Sequence, residues 1–281
     1  MSRTQPIGRR PSASLVVVYI VLIVGGLVMM SPYVVQVLTS LKTFEETTAV
    51  PPALFPESPQ WQNYLEISTS SSPFYLQVLN SILVTAARVV GQVFFSAMAA
   101  YAFARLRFPF RNALFALFLS MLVVPSQLFL LPQYQLMQTL GWVDTLQALF
   151  LPGMFSAFGV FLLRQFFLQL PSELEEAARL DGANPWQIFT RIMLPLLRPA
   201  IAALALLTMV NSWNDLLWPL IVNSSPAQLP VSVGLAALIG QYITPFQLVM
   251  AGSVIASAPV VLIFLIGQRH FVRGLAAGAL K

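Results

Sequence analysis

EEAARLDGANPWQIFTRIMLPLLRP, residues 175–199, is a polar island in a chain otherwise built from long apolar tracts, and what surrounds it decides the fold class. Just upstream, Ser172 follows Pro171 and is an N-cap residue type, with Glu175 three positions on as in a capping box. Glu173, Glu175 and Glu176 fill the first turn, where carboxylates meet the positive end of the helix dipole. Gly182 supplies a C-cap. Asn184 then caps a second helix, with Pro185 at its first position, that runs to Met193 before Pro195. Helices this short do not persist alone in water, where roughly 12 to 15 residues are needed. Something must dock against them. Leu174, Ala177, Ala178 and Asp181 share one small, mostly apolar face by the i, i+3, i+4, i+7 rule. That face packs either on the protein's own surface or on a partner.

Outside this island the composition is that of a membrane protein. Of 281 residues, 57% are hydrophobic and 9% charged, against about a quarter charged in soluble domains. A bilayer core of about 30 Å takes about 20 apolar residues as helix. Tracts of that kind cover about residues 14–38, 73–104, 112–131, 145–163, 200–222 and 247–267. The second is interrupted by Arg88, and the fifth carries Asn211, Trp213, Asn214 and Asp215. The first is longer than a signal-peptide core and no clear A-x-A cleavage site follows it, so it reads as a retained span.

An all-α polytopic membrane protein with six transmembrane helices is therefore expected. The positive-inside rule tests the count, because Lys and Arg collect in alternate loops when spans are placed correctly. Thirteen of the fifteen basic residues fall on one side: before span 1, between spans 2 and 3, between spans 4 and 5, and after span 6. Both termini are then cytoplasmic, with tails at 1–13 and 268–281. The 171–195 helix-turn-helix lies on the same side, between spans 4 and 5. The opposite loops hold Lys42 with Glu45, Glu46, Glu57, Glu66 and Asp144. Residues 39–72, rich in Pro and Ser, read as a folded-over external loop with one short helix.

Several chemistries are excluded. Cysteine is absent and His270 is the single histidine, so there is no thiolate, no histidine-pair metal site and no expected metal centre. Neither lysine, Lys42 or Lys281, sits in a GxxxxGK[ST] context, so no phosphate-cradling loop is present. The scattered basic residues do not describe a nucleic-acid surface. An ion-coupled carrier calls for several ionisable groups near the midplane, and only Arg88 and Asp215 qualify. These two either line a path or form a structural ion pair. Asn211, Trp213 and Asn214 suit hydroxyl recognition and sugar stacking, and suit helix–helix gluing equally. Pro152-Gly153 and Pro259 are hinge candidates that read as packing kinks just as well.

The pattern Glu176-Ala177-Ala178, three residues, Gly182, nine residues, Ile192, one residue, Leu194-Pro195 resembles the EAA signature of permease subunits of binding-protein-dependent ABC importers. Support comes from AAYAFARLRFPFR (99–111), WNDLLWPLI (213–221), VGLAAL (233–238) and GLAAGALK (274–281). These are similar to the maltose-type second permease of the carbohydrate branch, over nearly the whole chain from about residue 15. The resemblance implies that Leu174, Glu176, Ala177, Ala178, Asp181 and Gly182 couple to a separate ATPase that holds ATP and Mg. It also implies a second, non-identical permease, two ATPase copies, an extracytoplasmic solute-binding protein or lipoprotein, and a bacterial cytoplasmic membrane location. Arg88, Asn211, Trp213, Asn214 and Asp215 are the path or substrate candidates for a sugar or sugar derivative. Gly274, Gly278 and Lys281 are further candidates at the ATPase interface, and Trp61, Asn63 and Tyr64 for the binding protein. Phe110 departs from the pattern where glycine is usual, and Arg88 is not expected in its span. A self-sufficient secondary transporter or channel is the alternative.

Overall fold

The structure, a computed structural model, describes residues 13–69, 74–240 and 243–279. Among them every regular element is helical and no strand forms. The tails at 1–12 and 280–281 lie outside the described residues, as do the surroundings of the side chains from 266 on, which removes His270, Gly274, Gly278 and Lys281 from structural comment.

The chain forms two compact units. The smaller contains α1 (Ala13–Ser40), α2 (Phe44–Thr48) and the start of α3 (Gln62–Thr69), with the first turns of the final helix. The most apolar window of α1 has no buried residue. Its C-terminal end is pinned instead by polar contacts. Asn63 is buried and donates to the carbonyls of Ser40 and Lys42 at 2.8 and 2.9 Å, while Ser40 Oγ meets Tyr64 Oη at 2.7 Å. Lys42 is buried and donates to the Ala53 carbonyl. Thr43 and Glu46 form a capping box on α2, and Glu46 Oε1 also accepts from the Glu57 amide at 2.7 Å. The Thr43 amide, and then the Glu57 amide, hold the Glu46 carboxyl below its ordinary value. The loop thus carries two short helices where one was expected.

The larger unit is organised around α4 (Phe74–Arg105), a 32-residue helix. A tight reversal follows, with Phe110 at φ 60°, then α5 (Arg111–Ser120), a 3-10 turn at Ser126–Phe129, and α6 (Leu130–Thr139). Next come α7 (Leu146–Phe150), a 3-10 turn at Pro152–Met154, and α8 (Ala157–Gln169). The polar island forms α9 (Glu173–Leu180), α10 (Pro185–Gln187), a π-helical turn at Ile188–Met193 and α11 (Leu194–Leu196). The chain then runs through α12 (Arg198–Trp213), α13 (Leu217–Val222), α14 (Val231–Ala237) and α15 (Phe246–Ala279).

Small residues set the packing, as they do where helices meet without a hydrophobic driving force between them. Ala97, Ala100 and Ala104 recur at helical spacing on α4 and are buried with Val160, Leu163 and Phe167 of α8 and Leu204 of α12. A Cβ on Gly159 would overlap Ser96 of α4, and one on Gly91 would overlap Met154. Hydrogen bonds tie the other end of α4 to the chain before α14: Asn80 donates to the carbonyls of Ala227 and Leu229, and Ser81 accepts from the Val231 amide.

The expected tracts do not all fold as single helices. Among the described residues, four helices are long and apolar enough to cross a membrane, within Val17–Ser40, Phe74–Arg105, Leu146–Gln169 and Phe246–Leu265. A fifth is counted if Pro185–Leu196 and Arg198–Trp213, bent by 77°, act as one. The tract at 112–131 is not a single helix. Pro125 has no amide hydrogen and biases Val124 away from helical geometry, so α5 stops at Ser120 and a 3-10 turn restarts the chain at Ser126. The tract at 200–222 breaks between Trp213 and Leu217. Pro259, by contrast, lies inside α15 without ending it.

Candidate coupling hairpin and polar cleft

The hairpin of α9 and α10 is built by its caps. At the end of α9 the Ala183 amide donates to the Ala178 carbonyl at 2.9 Å and the Gly182 amide to that of Arg179 at 3.1 Å. This is a Schellman motif, which needs a left-handed residue after the helix, and Gly182 has φ 81°. Asn184 and Gln187 form a reciprocal capping box, with both bonds at 2.9 Å and Pro185 at the first helical position. The π turn carries a bond from the Leu194 amide back to the Phe189 carbonyl, just where Pro195 can donate nothing.

Two expectations for α9 fail. Ser172 sits in helical geometry and makes no side-chain cap, because Glu175 is turned inward: it is buried and forms an ion pair with Arg105 at 3.3 Å. The shared face also divides. Leu174, Glu176, Ala177, Asp181 and Gly182 are exposed, whereas Ala178 is buried in a core that includes Tyr101, Phe167, Ile188 and Phe189. The outer rim nevertheless carries large apolar side chains among its charged ones, with Leu180 89% and Trp186 55% exposed.

The second feature is a polar cleft of about 390 Å³ between α4, the Pro152–Met154 turn and α12. Arg88 Nη1 meets Asp215 Oδ2 at 2.8 Å, with the side chains 12% and 22% exposed. Arg88 Nε also donates to the Leu149 carbonyl at 3.0 Å. A Cβ on Gly153 would overlap the Arg88 side chain, so the glycine makes room for the guanidinium. Arg88, Asn211 and Asp215 line this cleft together. Trp213 does not: its indole donates to the Ala256 carbonyl at 3.1 Å, and its ring lines a separate apolar groove with Val89 and Pro259. Asn214 donates to the Val210 carbonyl at the end of α12 and is also absent from the cleft lining. Gln92, Ser156, Thr208 and Ser212 line the cleft and were not foreseen. Gln92 lies one helical turn from Arg88, Thr208 one turn before Asn211, and Ser212 one turn after Thr208, so helical spacing alone would have found these three.

Of the loop candidates, Asn63 is a buried tie and offers no surface, Tyr64 bonds Ser40, and Trp61 is exposed and stacked against Tyr64 at 6.4 Å between ring centroids. At the other loop, Asp144 has φ 63° and accepts from the amides of Ser224 and Ser225, both at 2.9 Å, and from the Ser225 hydroxyl. These donors, the Ser225 hydroxyl foremost, hold its carboxyl below the ordinary value of 3.8. A carboxyl lowered in the folded state stabilises fully above its unfolded value and loses that contribution as pH falls through the lowered one. Apparent melting temperature in detergent is therefore expected to fall as pH drops below about 5, with a shallower fall in Asp144→Asn. Identical pH profiles would show that Asp144 contributes nothing.

Residues 92–277 match the family described as binding-protein-dependent transport system inner membrane component. The chain belongs to this family. It is 40% identical over 219 residues, 78% of each chain, to the arabinooligosaccharides transport system permease protein AraQ of Halalkalibacterium halodurans. It is 36% identical over 264 residues, 92% of this chain and 94% of the relative, to the sn-glycerol-3-phosphate transport system permease protein UgpE of Yersinia enterocolitica. The fold matches a chain of a bacterial ABC transporter involved in import of the acidic polysaccharide alginate, with TM-score 0.80 and 23% identity, covering 95% of this permease and all of that chain. A chain from the alginate transporter in complex with its pentasaccharide-bound periplasmic protein matches with TM-score 0.63 and 12% identity, covering 90% of this permease and 93% of that chain. The permease is an inner membrane component of a transport system, and its fold is that of an ABC importer permease.

Proposed function

We propose that this permease supplies one half of the translocation path of an ATP-driven sugar importer and receives the thrust of a separate ATPase on the 171–195 hairpin. The observation that carries the docking reading is the hairpin's rim. A helix of eight residues cannot hold itself, only its C-terminal end is capped, and Leu174, Leu180 and Trp186 remain outside the chain's own core. Leu174, Glu176, Ala177, Asp181 and Gly182 form the contact, with Ala178 beneath them as packing. The hairpin lies at the cytoplasmic face of a six-span domain with both termini inside, the third span and the fifth being broken helices. ATP and Mg bind the ATPase, of which two copies serve one permease pair, and this chain catalyses no covalent chemistry. The second permease is non-identical, and an extracytoplasmic binding protein delivers the solute.

The polar cleft supports a hydroxylated, uncharged substrate or substrate portion. Asp215 compensates Arg88, so the cleft carries no spare positive charge to hold an anion, while Gln92, Thr208, Asn211 and Ser212 offer neutral donors and acceptors. The relatives named for arabinooligosaccharides and sn-glycerol-3-phosphate bracket a polyol chemistry of this kind.

Gentle solubilisation of the tagged chain from its native membrane, with identification and stoichiometry of what copurifies, tests the assignment. Two ATPase copies and one different permease are expected, with the ATPase lost on Ala177→Arg. A chain that comes out alone and moves arabinooligosaccharide in liposomes without ATP would instead be a self-sufficient carrier.

A further inference from the structure

Glu175 is the one carboxylate of the hairpin that faces inward, and both of its ion-pair partners are arginines. Its Oε1 lies 3.3 Å from Arg105 Nε and its Oε2 lies 3.8 Å from Arg179 Nη2. The side chains of Glu175 and Arg105 are only 8% and 12% exposed, while Arg179 is largely in solvent. Arg105 is the last residue of α4, and its Nη2 donates to the carbonyls of Phe167 and Leu170 at 2.5 Å each, at the end of α8. One guanidinium therefore joins α4, the end of α8 and the hairpin. The Nε–Oε1 pair is out of hydrogen-bond alignment, and neither atom has a hydrogen-bond partner, so charge and burial hold it. The same helix carries Arg88 in the polar cleft. At 1.5 Å per residue the two arginines are about 26 Å apart along one unbroken helix.

We propose that Arg105 and Glu175 are positioning residues that fasten the hairpin to α4, so that displacement of the hairpin is delivered along α4 to the cleft at Arg88 and Asp215. The proposal rests on the ATPase-docking reading of the hairpin but assigns the transmission to an inward pair, separate from the exposed contact. The exposed Glu176 and Ala177 hold the motor; Glu175 holds the lever. The physical ground is that α9 is short and its other side chains are exposed, whereas Ala178 and Glu175 are its two buried ones. Ala178 gives non-directional packing. Glu175 gives an attachment that resists both sliding and rotation, since Arg105 is itself fixed on two carbonyls.

The experiment uses the assembled complex and needs no substrate. The chain contains no cysteine, so Leu207→Cys places a single thiol of this chain in the cleft lining. Its maleimide labelling rate is read on this chain with and without ATP plus vanadate, in the parent and in Glu175→Gln. In the parent, trapping is expected to change the rate by about fivefold or more, the lower bound of ordinary allosteric coupling. In Glu175→Gln the change should shrink below about twofold while the ATPase remains bound and hydrolyses ATP. A full ATP-dependent change in Glu175→Gln overturns the strut. If Glu175→Gln loses the ATPase, Arg105→Lys is read instead, since it keeps the charge without the two-carbonyl fork. Loss of the ATPase in both variants also overturns the proposal, because the pair would then serve assembly alone. A parent that binds no ATPase refutes the docking reading, which is a separate and visible failure.

Discussion

Asp215→Leu is expected to lower the apparent melting temperature of the detergent-solubilised chain by roughly 10 °C, and Arg88→Met combined with Asp215→Leu to restore most of it. The single change leaves the Arg88 guanidinium inside the cleft with only the Leu149 carbonyl as partner. Breaking a buried pair from one side costs about 3 to 5 kcal/mol, because the remaining charge is stranded, whereas replacing both partners by apolar groups is close to neutral. Against total stabilities of about 5 to 15 kcal/mol the single loss is severe. The double variant also separates packing from transport. A chain that folds and assembles but no longer transports would place the pair in the path. If single and double variants melt alike, the two residues do not act as a pair and the argument from stranded charge fails.

Gly182→Pro is expected to cut ATPase recovery with the complex by at least about tenfold, since proline in an incompatible backbone costs about 3 kcal/mol or more. The native φ of 81° is closed to a ring that fixes φ near −65°. The Gly182 amide that closes the Schellman motif on Arg179 is lost as well. Nothing lies within 4 Å of a Cβ at this position, so the effect is one of backbone geometry and not of crowding. Gly182→Ala, strained but not forbidden, should fall between the two. The chain itself should stay in the membrane with its cleft intact, because Gly182 touches no part of it. Parental ATPase recovery from Gly182→Pro would mean that the turn does not set the docking surface.

How much of this was legible beforehand depended on whether a signal was local. The caps at Gly182, Asn184 and Pro185 follow from neighbours within a few residues, and all three stand where the sequence put them. The Arg88–Asp215 pair was legible because two opposite charges in apolar tracts have few other ways to be satisfied. Glu175 misled for the opposite reason. Its spacing from Ser172 suits a capping box, but the competing partner, Arg105, is far away in the chain and offers charge as well as burial. Ala178 shows the limit of face arguments, since a helical face wide enough to hold four residues can have its edge buried, and Trp213 shows the limit of grouping residues by nearness in sequence, since it lines a different groove from Asn211 and Asp215. The broken tract at 112–131 hid behind hydropathy, which sees apolar residues but not the missing amide of Pro125. The Phe110 anomaly now has a cause. The position needs a left-handed backbone, where a bulky residue is strained and glycine is not.

Since no described side chain in the apolar window of α1 is buried, the free energy of that window belongs to insertion and not to folding. What selection can read there is total apolar length, about 36 Å of helix over Val17–Ser40 against a hydrocarbon layer of about 30 Å. The excess must be absorbed by tilt or by projection beyond the lipid. Order and identity within VVVYIVLIVGGLVMM matter to this chain far less than their sum, so bilayer thickness is a variable to which α1 answers directly and the tightly packed α4 does not.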